Sequence, residues 1–122
     1  AELREWEARD DVTTLLTVDP GGEEADWEGR VGFVPDVLAE AEVDAANTTC
    51  ILCGPPVMIK FSLPVLTGKH GLDKSSVITT LENRMKCGIG KCGRCNMGGV
   101  FICTDGPVFR FAEVEQFLES FV

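Results

Sequence analysis

Met85-Lys86-Cys87-Gly88-Ile89-Gly90-Lys91-Cys92-Gly93-Arg94-Cys95-Asn96-Met97-Gly98-Gly99-Val100-Phe101-Ile102-Cys103 sets four cysteines at C-x4-C-x2-C-x7-C, with five glycines between the first and the last. The first three follow the plant-type iron–sulfur spacing, in which a more distant fourth cysteine completes the set. The chemistry asks for this pattern. A cluster of two irons and two sulfides carries excess negative charge, so it needs thiolates from a tight loop and backbone N–H groups aimed at its sulfurs. Glycines allow the positive φ values that fold such a concave, N–H-lined nest. Lys86, Lys91 and Arg94 bring positive charge that favours thiolates over thiols. The pattern predicts a [2Fe–2S] site with Cys87, Cys92, Cys95 and Cys103 as its donors.

Zinc competes for the same cysteines. A structural zinc site usually pairs two C-x2-C hooks, or one hook with histidines. Here there is one hook, one C-x4-C arc and a single cysteine on what reads as the following strand. Disulfides fit less well: no secretory signal is visible, and loops this short force strained pairings. Gly88 to Gly93 also spells G-x-G-x-x-G, but cysteines fall within and beside it and no helical pattern follows, so it is not read as a dinucleotide fingerprint.

Working outward, a chain of 122 residues is one domain or one domain with a small appendage. A formal net charge of −9 argues against a nucleic-acid partner. No apolar run approaches the roughly 18 residues a membrane span needs. Six cysteines and one histidine without a targeting segment indicate a reducing, cytoplasmic setting in which cysteines hold a metal centre. Asn47-Thr48-Thr49 matches a glycosylation acceptor, which such a compartment makes accidental.

Upstream, Glu2 to Arg9 reads as a short amphipathic helix with Leu3 and Trp6 on one face. Val12 to Val18 is a β-branched, mostly apolar run of the kind found inside a parallel sheet. Asp19-Pro20-Gly21-Gly22 ends it, and a polar loop with Trp27 as a lid over the core follows. Val31 to Val34 is a strand fragment or turn. Pro35 opens a helix to about Glu42, with Val34, Val37, Leu38 and Ala41 inward. Thr48 to Cys53 reads as the clearest buried strand. A helix from Val57 through Leu66 comes next, interrupted by Pro64 and closed by Gly68. Val77 to Leu81 is a strand leading into the cysteine loop, Thr104 to Pro107 a turn, and Phe111 to Phe121 an amphipathic helix with Val114, Phe117, Leu118 and Phe121 on one side. Alternating helices and strands predict an α/β fold with a parallel sheet.

In such sheets ligands bind beyond the carboxyl ends of the strands. Cys53-Gly54-Pro55-Pro56-Val57-Met58 is one such end. Gly54 lets a flat ligand approach the backbone, and the following helix start offers unpaired N–H groups. A plain strand-to-helix turn with a buried Cys53 is an equal reading of these residues alone. Asp19, at another strand tip, can accept bonds from ribose hydroxyls or simply form a turn. Glu82 can face a cofactor or be solvated, and solvation is the simpler reading.

The segment from about Leu3 to Phe109 resembles the C-terminal part of the ferredoxin–NADP reductase superfamily. The resemblance is carried by Thr17-Val18-Asp19, Trp27-Glu28-Gly29-Arg30-Val31-Gly32, Cys53 to Met58, Leu81 to Gly93, and Cys103-Thr104-Asp105-Gly106-Pro107-Val108-Phe109. It is nearest the branch with a C-terminal [2Fe–2S] cluster, which includes the electron-transfer subunits of dihydroorotate dehydrogenase and anaerobic sulfite reductase and the gamma subunits of sulfhydrogenases. This implies a partial NAD(P)-binding domain over 1–82, a cluster segment over 83–110 and a C-terminal helix over 111–122. It implies that Cys87, Cys92, Cys95 and Cys103 ligate the cluster and that Cys53 and Gly54 approach the nicotinamide. Pro55, Pro56 and Met58 would shape that wall, and Asp19 would lie near the adenosine ribose, favouring NAD.

Family members also carry a flavin-binding barrel and a glycine-rich pyrophosphate loop, which are not found here. The expectation is therefore a fragment of a longer oxidoreductase subunit, inactive alone. The intact protein would pass electrons between NAD(P)H, FAD on the missing domain and the cluster, and onward to a redox partner subunit such as a hydrogenase, sulfite reductase or heterodisulfide-reductase-like enzyme. An opened sheet also predicts hetero-oligomers or self-association. A free-standing iron–sulfur carrier and a structural zinc module are the alternatives.

Overall fold

The computed structural model describes residues 2–118. Its elements are α1 (Glu2–Glu7), β1 (Thr17–Val18), β2 (Arg30–Val31), α2 (Val34–Glu40), β3 (Cys50–Leu52), α3 (Pro56–Pro64), β4 (Val77–Thr80), β5 (Asn96–Met97), β6 (Val100–Phe101), α4 (Ile102–Asp105), β7 (Val108–Arg110) and α5 (Phe111–Leu118). Among the described residues no helix is long and apolar enough to cross a membrane. The fold is α/β, as the alternating pattern predicts.

Three small sheets form. β3 and β4 run parallel, with Cys50, Ile51 and Leu52 opposite Val77, Ile78 and Thr79. β7 adds antiparallel to β4, pairing Thr79 with Phe109, so the central sheet is mixed rather than wholly parallel. Three residues after a turn carry too little alternation to announce β7. β5 and β6 form a hairpin across Gly98-Gly99. β1 and β2 pair in parallel over two residues each.

The long strand expected from Val12 is reduced to Thr17–Val18. Among the described residues its only partner, β2, presents two residues, so the ladder stops there, and Leu15 and Leu16 stay exposed. Thr17 Oγ1 donates to the Gly32 carbonyl at 2.7 Å and fixes that short pair. Leu3 and Trp6 of α1 are likewise exposed. Trp27 is half-buried, lies over Gly29 and donates its Nε1–H to the Arg30 carbonyl at 2.9 Å, so it clamps its own loop.

β3 is buried on one face only. Leu52 points inward, while Ile51 is 72% exposed on the other side. Burial alternates along β4 as well, with Val77 and Thr79 fully enclosed. On the covered face, Leu52 and Val77 meet Ile59, Leu63, Leu66, Leu72 and Phe111 in a first core. Pro55 and Pro56 start α3 with their fixed φ, and Pro55 accepts the Ile59 N–H at 3.1 Å. Pro64 cannot donate to the preceding turn, and beyond it the helix widens into one π turn, Val65–Lys69. Gly71, not Gly68, takes the left-handed conformation that ends the segment, at φ +71°. His70 Nε2–H donates to the Leu38 carbonyl at 2.7 Å, tying this turn to α2.

A second core gathers Leu81, Cys95, Met97, Ile102, Phe109 and Val114 beneath the cysteine loop. Helix α5 serves both cores, giving Phe111 to the first and Val114 to the second. Phe121, expected on the same face, lies outside the described residues.

Candidate iron–sulfur and dinucleotide site

Two strand ends define one edge of the central sheet. Because β3 and β4 are parallel and Leu52 sits opposite Thr79, the chain leaves both strands on the same side. β3 delivers Cys53 and Gly54 there, and β4 delivers Leu81 and Glu82, where the cysteine loop begins. The turn expected at the nicotinamide and the loop expected at the cluster therefore spring from adjacent strands. Cys53 is exposed, not buried, which removes the plain-turn version in which its thiol fills the core. Gly54 is held against Met58: an added Cβ would come 2.2 Å from the Met58 methyl, so the end of that side chain would have to swing aside for any larger residue. Glu82 is exposed. Asp19 directly follows β1, is exposed, and its carbonyl accepts the Gly22 N–H at 2.9 Å, so it makes a turn whatever else it does.

The cysteine loop is tied at its base. Leu81 N–H donates to the Pro107 carbonyl at 2.9 Å, joining the entering and leaving chains. Within the loop, Gly88, Gly90 and Gly93 all have φ near +70°. These values turn the backbone N–H groups inward. Cys87 Sγ accepts from Ile89 N at 3.5 Å, Lys91 N at 3.3 Å and Cys92 N at 3.4 Å. Those donors, the Ile89 N–H foremost, push the Cys87 thiol down to about 6, so it is a thiolate at neutral pH. The Cys92 thiol lies beside it as a further donor.

The other two cysteines form a second pair. Cys103 lies beside Cys95, whose side chain together with burial raises the Cys103 thiol, while the Gly90 N–H acts in the opposite direction. Cys87 is near enough for its charge to be felt at Cys103. The expected donors therefore lie as two neighbouring pairs, Cys87 with Cys92 and Cys95 with Cys103. Among the described residues no three histidine, cysteine, aspartate or glutamate side chains close around a single-ion position.

Cys103 stands on the short helix α4 and not on a strand. Ile102 N–H donates to the Cys95 carbonyl at 3.1 Å, and Phe101 N–H donates to Asp105 Oδ2 at 2.7 Å. Asp105 is thus a positioning residue for Cys103. Its sequence context, Asp-Gly-Pro, shows only a turn former, and the Asp105 contact depends on the hairpin bringing Phe101 back. The sixth cysteine, Cys50, is half-buried against the first core and its thiol is raised by burial, which marks it as a packing residue.

Comparison with known proteins finds two family matches along the chain. Residues 1–63 match the oxidoreductase NAD-binding domain, and residues 82–115 match the iron–sulfur cluster binding domain of dihydroorotate dehydrogenase B. The sulfhydrogenase 1 subunit gamma of Pyrococcus furiosus is 40% identical over 107 residues, covering 84% of this chain and 35% of that protein. A probable dihydroorotate dehydrogenase B (NAD(+)) electron transfer subunit of Thermococcus kodakarensis is 40% identical over 96 residues, covering 79% of this chain and 36% of its own length. The chain thus spans about a third of the length of these curated relatives. Among solved structures, a chain of an NADH-dependent reduced ferredoxin–NADP oxidoreductase superposes with a TM-score of 0.55 at 27% identity, covering 87% of this chain and 38% of the other. The chain belongs to the oxidoreductase NAD-binding domain family, and its residues 82–115 are similar to the iron–sulfur cluster binding domain of dihydroorotate dehydrogenase B.

Proposed function

We propose that this chain is the dinucleotide- and cluster-bearing part of an electron-transfer subunit, in which Cys87, Cys92, Cys95 and Cys103 hold a [2Fe–2S] cluster. The observation that carries the reading is the arrangement of those four thiols in two pairs under glycine-directed N–H groups. Two bridged irons take two protein sulfurs each, whereas a single zinc takes four around one point. The donor set present fits the former. When bound, the nicotinamide supplies a hydride and the iron centre stores one electron at a time.

The residues of the chain supply position and electrostatics. Cys87 is deprotonated in advance of any metal by three backbone donors, and its neighbour Cys92 opens to solvent while Cys95 is enclosed. Cys53 and Gly54 present a bare backbone edge for the nicotinamide, Pro55 and Pro56 fix the start of α3, and Met58 packs under Gly54 to brace that wall. Asp19, exposed in the turn after β1, would accept from adenosine ribose hydroxyls and repel a 2′-phosphate, favouring NAD over NADP. Glu82 stands at the entry to the cysteine loop, between the two regions. FAD belongs to a further part of the intact subunit, and the partner is a second redox subunit such as a hydrogenase or sulfite reductase, in a cytoplasmic hetero-oligomer.

Iron and sulfide analysis of anaerobically purified protein, with its absorption spectrum, tests the reading. A coloured protein with about two irons and two labile sulfides per chain is the expected result. A colourless preparation holding one zinc and no sulfide overturns it. In the intact subunit, Asp19→Ser should relax the preference for NAD, and unchanged preference removes Asp19 from the site.

A further inference from the structure

Helix α4 is four residues long, too short to hold together by its own hydrogen bonds. Its residues are tied elsewhere instead. Ile102 is 1% exposed in the second core, and its N–H donates to the Cys95 carbonyl at 3.1 Å. Cys103 carries one of the four loop thiols. Asp105 Oδ2 accepts the Phe101 N–H at 2.7 Å and so closes the helix onto the hairpin. Thr104 reaches the other way, toward the cysteine loop. Its side chain stands over Gly90, where an added Cβ would lie 3.4 Å from the Thr104 methyl and 3.6 Å from its hydroxyl. Gly90 has φ +73° and gives its N–H to the Cys103 sulfur.

An exposed threonine before Asp-Gly-Pro has a plainer use, as a polar turn that only returns the chain to β7. Two contacts speak against it. An aspartate that makes a turn bonds to the backbone two residues on. Asp105 bonds four residues back, to the end of β6. The second contact is selective. Among the described residues, a Cβ added at Gly88 or Gly93 would meet nothing within 4 Å, whereas one at Gly90 would meet Thr104 alone. Gly90 is also the glycine whose N–H serves Cys103, the donor that α4 itself carries. A left-handed glycine without a neighbour can rock, and its N–H swings with it. A side chain lying across it keeps the peptide aimed.

We infer that Thr104 joins Asp105 as a positioning residue of the cysteine loop: Asp105 fixes Cys103 against the hairpin, Thr104 holds the Gly90 N–H on the Cys103 sulfur, and α4 is the clasp that retains iron. The inference rests on the proposed cluster reading and adds the groups that keep its donors in place. The two jobs call for different rescues. Asp105 works through an acceptor oxygen, which Asn keeps. Thr104 works through its shape, since the methyl is its nearest atom, and Val keeps that shape.

The test uses the full chain, loaded with iron and sulfide without oxygen. Iron loss to a chelator is followed together with visible circular dichroism, which reads the handedness of the sulfur set. Asp105→Ala and Thr104→Ala should each release iron about tenfold faster or more and alter the visible bands. Asp105→Asn and Thr104→Val should match the wild type in both readouts. Thr104 is exposed, so its variants keep the fold; if Asp105→Ala does not fold, Asp105→Asn decides that half by keeping or losing its iron. Faster release with unchanged bands marks a loss of stability alone and overturns the clasp. So do alanine variants with wild-type release, or an Asn or Val variant that loses iron as fast as its alanine counterpart. A wild-type chain that folds but takes up no iron removes the cluster reading, and the clasp with it.

Discussion

The first fifty residues and the rest of the chain make opposite use of similar material. Both contain apolar runs, yet among the described residues Val37 is the only buried hydrophobic before Leu52. Leu15, Leu16, Val31, Phe33 and Val34 all remain exposed. After Leu52, apolar positions find ladders and helices to pack against, and two cores form. The acids follow the same division, concentrated where burial is least. Apolar content alone therefore does not make structure. A strand needs a partner edge of its own length, and β2 offers β1 only two residues.

Four measurements would break or sharpen this contrast. The largest effect belongs to Cys95→Ser, which removes the enclosed donor of the cysteine loop and places a hydroxyl in the second core. The variant should lose most of its iron by direct assay and unfold at lower denaturant. Retained iron would detach Cys95 from the site. Next, Ile59→Ala should cost about 2–5 kcal/mol, seen as a lower urea midpoint at unchanged slope, because Ile59 is 2% exposed in the first core. Gly98→Ala combines a left-handed residue, φ +59°, with a Cβ placed 1.9 Å from the Phe117 ring. It should cost about 1–3 kcal/mol in thermal unfolding, and a neutral result would mean that the hairpin does not lean on α5. Smallest is Leu15→Ala, expected to stay within about 0.5 kcal/mol since that side chain is half exposed. A larger loss would show that Val12 to Leu16 is packed in solution, as would slow amide exchange there comparable with Val77 to Thr80.

The cysteine loop was legible because spacing and glycines are a local code. The C-x4-C-x2-C arc, the glycines at 88, 90 and 93 and the N–H groups they aim all lie within nine residues of one another. The turn Cys53 to Met58 was legible for the same reason, with strand, glycine, proline pair and helix in immediate succession. What sequence hides is whatever depends on a distant neighbour. β7 exists because β4 has a free edge to accept it, and Cys103 is helical because Asp105 caps α4 through Phe101. The hairpin β5–β6 had a signal in Gly98-Gly99, two glycines between Met97 and Val100, but the cysteine spacing absorbs those residues first. The Val12 to Val18 run shows the converse error: a strong local preference with too little edge to satisfy it.

Phe111 and Val114 lie one helical turn apart on α5, yet each is anchored in a different hydrophobic cluster. With Leu118 packed against both clusters as well, α5 joins the cysteine-loop lobe to the central sheet, so the two should share one melting transition and loosening either should loosen the other. Loading the thiols should therefore raise the heat resistance of residues that never touch iron.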